Sequence, residues 1–189
     1  MTDLIEPGDA VLYMKVGTHA SEPLDKIIER KRQEIRDAGY SLWGYGGNTC
    51  HPRTMVQPFA SAHADSGRVI RLCMQPMQSN HFADPVRADE YSVDGKVWVP
   101  IPEAINVVGS RYALRIRSLD EVDLKLDLEK TTVGVGRNKG KSGRAYIQGR
   151  VDKACLDVVD HIDEDDEQGI HIGLIAEMEA PFAVFLRNT

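Results

Sequence analysis

A chain of 189 residues, 42% hydrophobic and 28% charged, is long enough to bury a full core and has the make-up of an ordinary globular protein. Its formal net charge of −6 excludes a bulk nucleic-acid coat, which needs a basic excess, and leaves room for a local basic site. No apolar run approaches the ~18 residues of a membrane span, and the opening MTDLIEPGDA has no basic or apolar leader, so a cytoplasmic setting without membrane contact is expected.

In chain order, residues 7–17 (PGDAVLYMKVG) predict a turn and then a short buried strand, because Ala10 to Met14 and Val16 are almost continuously apolar. The next segment predicts a helix over 22–38. Ser21 offers a cap, Pro23 suits a first turn, Gly39 suits the end, and Leu24, Ile27, Ile28 and Ile35 form one apolar side with charges opposite.

Residues 41–60, SLWGYGGNTCHPRTMVQPFA, predict a short strand breaking into a glycine turn, then a short helix interrupted near Pro58. A mixed-face strand is expected at 68–77 and a loop at 78–89. A hairpin is expected over 90–102, turning at Asp94-Gly95. Strands are expected at 111–119 and 122–128, the second from Leu124, Leu126 and Leu128 alternating with Lys125 and Asp127. One or two strands around Pro181 close the chain. The expected fold is α+β in a single domain, 1–189, with long loops. One long N-terminal helix packs on a mostly antiparallel, barrel-like sheet.

Two stretches carry candidate chemistry. In the first, Gly44, Gly46 and Gly47 free the backbone, and Trp43 and Tyr45, two apart on a strand, share a face. Such a pair makes a flat wall for a ring, followed directly by Asn48, Thr49, Cys50 and His51. The same residues also serve a plain core and corner. Cys50 is a candidate nucleophile needing a base from elsewhere in the fold, with His19, His63 and His81 available, since His51 is its direct neighbour and points the other way on an extended segment. His19, where the first strand meets the helix, is a candidate acid–base group beside a helix N-terminus, or part of a capping turn.

In the second stretch, residues 133–153 (VGVGRNKGKSGRAYIQGRVDK) set six bases against one acid, among five glycines. Arg137, Lys139, Lys141 and Arg144, with exposed loop amides, form a candidate anion site, and Tyr146 adds a stacking ring. Gly136 to Ser142 is one residue shorter than a Walker loop, so the cofactor stays unassigned. A solvated flexible loop is the competing reading. No HxxxH or CxxC pair occurs, and a metal site is not expected. The three cysteines, Cys50, Cys73 and Cys155, are odd in number and dispersed, as in a reducing compartment.

Residues 157–167 (DVVDHIDEDDE) hold seven acids and no Lys or Arg, which reads as a solvated loop or a protein-binding surface. The order Gly17-Thr18, helix, glycine-aromatic turn resembles the opening of ADP-ribosyltransferase domains. Here, however, His19 follows the Gly-Thr pair rather than preceding it, and no later catalytic glutamate can be placed, so the chain is not assigned to that family.

The expected function is an enzyme or ligand-binding protein for a nucleotide-like phosphorylated molecule. The aromatic turn would stack the ring, residues 134–150 would hold the phosphate, and His19 or His51 would move a proton. The alternative is a non-enzymatic inhibitor that blocks a partner through the acidic segment 157–167.

Overall fold

The computed structural model describes residues 3–46, 51–81, 83–148 and 151–189, and of 79–81 the backbone alone. The chain opens with a ten-residue strand, β1 (Ala10–His19), followed by α1 (Leu24–Ala38), β2 (Ser41–Gly44) and α2 (Arg53–Asp65). Then come β3 (Arg71–His81), β4 (Glu90–Ser92), β5 (Val99–Pro100), β6 (Tyr112–Ile116), β7 (Asp120–Leu126) and a 3-10 turn (Leu128–Lys130). The last elements are β8 (Thr131–Val133), α3 (Gly143–Tyr146), β9 (Lys153–Val158) and β10 (Ile170–Arg187).

The class is α+β: one ten-stranded sheet and few helices. Its path runs β2-β6-β10-β3-β1-β9-β8, with β4 and β7 also paired to β10 and β5 to β4. All pairings are antiparallel except β1 with β3. The path is open, with β2 and β8 at its two ends, so the expected barrel closure is corrected.

The continuous apolar runs follow from burial on both faces of the sheet. In β1, Ala10 and Leu12 join one core cluster and Val11 and Tyr13 the other. Leu72 and Met74 oppose Cys73 in β3, and Leu174 and Ala176 oppose Ile175 in β10, in the same way. Period-two alternation with both faces covered leaves no polar gaps for a sequence pattern to mark. The first cluster takes α1 and α2 as its lid, through Ile27, Ile28, Val56, Phe59 and Ala60.

Helix α1 starts two residues later than expected and is fifteen residues long. Pro23 occupies the cap position with no side-chain cap, so Ser21, at φ 66°, does not cap it. Leu24, Ile27, Ile28 and Ile35 do face the core.

The charged side is where the helix departs from expectation. Lys31 and Glu34 are buried, at 4% and 2% exposure. Glu34 accepts from Arg30 (2.8 Å), Lys31 (3.1 Å) and the Asn106 amide (2.9 Å), and from the Ser41 hydroxyl. Lys31 donates further to the carbonyls of Leu42 (2.6 Å) and Asn106 (2.9 Å). A buried carboxylate and ammonium are tolerated only when paired and fully bonded, and these two are. The network ties α1 to the otherwise open edge of β2 and to the 106 turn, and burial pulls the Lys31 ammonium down to about 8.

Helix α2 runs unbroken through Pro58, which corrects the expected interruption. The proline lies on the exposed side of the helix. The 90–102 hairpin forms with shorter strands. The Asp94 carboxylate accepts the Lys96 and Val97 amides at 2.8 and 2.9 Å, beside Gly95 at φ +80°. β3 extends to His81, into the expected loop, and β10 is one element through Pro181 with a register shift between Met178 and Ala183.

Candidate functional site

The site is built on α2. Met55, Phe59 and His63 recur every four residues and so stand one above another on one helix face. Arg53 anchors the helix start. Its guanidinium donates to the Ala183 carbonyl (3.0 Å) and to that of Val93, and lies 4.7 Å from the Phe185 ring centre.

Facing α2 is the basic glycine stretch, which is folded back on itself. The Gly134 amide donates to the Cys155 carbonyl at 2.9 Å, Gly140 to Val133 at 2.8 Å, and Val133 to Lys141 at 2.8 Å. A Cβ on Gly134 would sit 2.3 Å from the Phe59 ring and 3.0 Å from the Asp157 carboxylate, so only glycine permits this approach. Gly136 turns at φ +75°. Among the described residues, the amides of Val135, Gly136, Arg137 and Asn138 carry no hydrogen bond.

Between α2 and this loop lies an open cleft of about 460 Å³. Met55, Pro58, Phe59 and Val135 make its apolar wall, and Lys139 is the one cation in its lining. His63 and Asp157 stand at the wall with Nε2 to Oδ1 at 2.9 Å, and the Phe59 ring meets the imidazole edge-on at 4.9 Å. The carboxylate holds the imidazole by one nitrogen and leaves Nδ1 for a ligand.

Beside the cleft, the His51 ring and the Met55 sulfur both lie against Gly136, where a Cβ would sit 3.0 Å from the ring and 3.7 Å from the sulfur. Its ring stacks on Tyr146 (6.0 Å, 12° between planes) with 3.2 Å from Nε2 to the phenol oxygen, and its carbonyl accepts from Tyr112 at 2.6 Å. Burial holds the His51 imidazole below its ordinary pKa, so it is neutral at pH 7.

The expected site residues thus divide. His51, Tyr146, Lys139 and the loop come together, with Arg137 and Lys141 exposed on the loop. Arg144 is turned away, to Glu129 at 3.1 Å and the Gln168 carbonyl at 3.4 Å. Trp43 and Tyr45 share a face as expected, but it is the core face, at 5% and 2% exposure, and neither lines the cleft. The Trp43 indole donates to the Met14 sulfur (3.3 Å), and the Tyr45 phenol reaches the carbonyls of Tyr13 (2.9 Å) and Ala154 (3.3 Å). The polar handles of both rings are used inside the protein, as buried Tyr and Trp require. His19 bonds the Val108 carbonyl at 3.1 Å and lies against Gly109, and no described contact joins it to the cleft. Asn48 and Cys50 lie outside the described residues, as do Gly47, Thr49, Gly149 and Arg150.

The acidic segment is mostly a clamped turn. Glu164 accepts the amides of Leu4 (2.8 Å) and Ile5 (3.0 Å), Asp160 pairs with Lys130 at 3.1 Å, and Ile162 is fully buried. Only its first residue, Asp157, meets the basic loop, and it does so as part of strand β9. Sequence reasoning missed this role. The available signal was Ala154, Leu156 and Val158 alternating through KACLDV, which marks a strand and separates Asp157 from the charge block.

Among the described residues, no group of three or more His, Cys, Asp or Glu is placed to hold a metal, and no helix is long and apolar enough to cross a membrane. Compared with protein-family models, with curated protein sequences and with solved structures, the chain finds no match.

Proposed function

We propose that the cleft between α2 and residues 134–140 binds a small, nucleotide-like phosphorylated molecule, with His63, held by Asp157, as its acid–base group. The observation that carries this reading is one juxtaposition. The unbonded amides of Val135 and Gly136, with Lys139, border the same cleft as an imidazole whose partner nitrogen is fixed by a carboxylate. Free amides and an ammonium are what a phosphate needs. An imidazole oriented by a carboxylate suits proton transfer. The apolar wall takes the body of the ligand, the role the sequence assigned to Trp43 and Tyr45. His51 and Tyr146 support the loop from behind.

The test is a thermal-shift screen against nucleotides, sugar phosphates and inorganic phosphate, because a ligand bound only by the folded state raises its stability. Lys139→Ala removes the charge-assisted contact of the one lysine or arginine in the lining, worth roughly 1.5–3 kcal/mol, so affinity is expected to fall about tenfold or more without loss of fold. Binding is also expected to weaken as salt rises. A shift that survives Lys139→Ala unchanged places the ligand elsewhere and ends the reading.

A further inference from the structure

Resting on the reading of this cleft as a phosphate-ligand site, we infer that its ligand is a nucleoside monophosphate: one phosphate monoester on a ring-bearing body, and not a sugar phosphate or a nucleoside triphosphate. Three features of the cleft carry this.

The first is size. A cleft of about 460 Å³ lies in the lower half of the range for small-molecule sites, enough for one ring, one sugar and one phosphate.

The second is charge. Lys139 is the one cation in the lining, and the Asp157 carboxylate is in the lining too. The first phosphate has Lys139 and the unbonded amides of Val135 and Gly136. A second or third phosphate adds negative charge with no further cation in the cleft and with Asp157 facing it. Arg137 and Lys141 stand exposed on the loop outside the lining, where salt screens their attraction.

The third is the character of the wall. Met55, Pro58, Phe59 and Val135 offer apolar contact, and Thr54 is the one uncharged hydroxyl in the lining. A sugar phosphate would lose water from several hydroxyls and find only the Thr54 hydroxyl and the His63 ring nitrogen beside the charged groups, which disfavours it. A flat base loses little there and gains contact with the wall.

The experiment is calorimetric titration of the full chain, at fixed ionic strength and without divalent cations. The probes are the four ribonucleoside monophosphates, the matching triphosphates, glucose 6-phosphate and inorganic phosphate. At least one monophosphate is expected to bind tenfold or more tighter than its triphosphate, glucose 6-phosphate and inorganic phosphate. Asp157→Asn is expected to shrink the gap between monophosphate and triphosphate to less than threefold, with the fold checked by circular dichroism. The wild-type series decides the matter alone if that variant does not fold. A triphosphate or the sugar phosphate binding as tightly as every monophosphate overturns the inference and leaves the phosphate-site reading standing. A gap unchanged in a folded Asp157→Asn chain also overturns the inference. Binding by none of these probes removes the phosphate-site reading itself.

Discussion

Glu34→Ala strikes the buried network at its centre. The side chain is 2% exposed, and both of its oxygens are used, by Arg30, the Asn106 amide, Lys31 and Ser41. Its removal leaves Lys31, itself 4% exposed, without its paired carboxylate and beside Arg30, whose remaining partner is Glu22 at 2.6 Å. Breaking a buried pair from one side costs about 3–5 kcal/mol, a large part of the roughly 5–15 kcal/mol that holds a domain together. In a chain of this length each kcal/mol moves the melting point by about 2–4 °C, so a fall of about 10 °C is expected, with a lower urea midpoint at unchanged slope. The same network gives a pH signature. Burial brings the Lys31 ammonium down to about 8 in the folded chain, from its ordinary 10.5 when unfolded. Between those values the unfolded chain holds more protons, so this group's contribution rises with pH. Relative to Lys31→Met, the wild type is expected to gain about 1–2 kcal/mol between pH 8 and 9.5. The comparison with the variant is needed because burial raises the Cys73 thiol to about 12 and raises the Tyr13 phenol, both of which lower stability as pH climbs through their unfolded values. A loss below about 1 kcal/mol for Glu34→Ala, or a wild-type gain with pH that Lys31→Met shares in full, would refute the reasoning.

Trp43→Ala is expected to cost about 3–5 kcal/mol by urea denaturation while the milder Trp43→Phe leaves ligand affinity within twofold, since the ring is core and not cleft wall; selective loss of binding in the folded Phe variant would return the ring to the site. Gly134→Ala drives a methyl into the Phe59 ring and is expected to cost about 1–3 kcal/mol and to weaken the ligand, read by melting and titration together; a neutral outcome would mean that the loop does not approach α2. Ile28→Ala is expected to cost about 2–5 kcal/mol in the urea midpoint, and no change would mean that α1 presents another face.

Much of the scaffold was legible because it obeys simple periods. The apolar face of α1, the alternation of Leu124 and Leu126 in β7 and the Asp94-Gly95 turn each depend on neighbours in sequence, and each forms, although β7 runs Asp120–Leu126, two residues earlier than expected, and Leu128 falls in the 3-10 turn. What was illegible depends on partners far along the chain. Lys31 and Glu34 look like solvated charges until Ser41, Leu42 and Asn106 arrive over them. Pro58 looks like a break until one side of α2 is left to water. The spacing of Trp43 and Tyr45 gave their shared face, but which face was core depended on β2 pairing with β6. The site was half legible. Glycines and bases marked the loop, and Gly134 shows why one of those glycines is needed. Its opposite wall came from α2, and its carboxylate was hidden at the edge of a charge run that otherwise serves to clamp the N-terminal segment.

The most direct test of the cleft is an amide-resolved NMR titration of the full chain with a nucleoside monophosphate. The largest shifts are expected at Val135 to Lys139 and along α2 from Thr54 to His63, with little change at the His19–Gly109 contact and at the buried Trp43 indole. Shifts centred on His19 and Gly109, or an unmoved 135–139 loop in the presence of a binding ligand, would contradict the account.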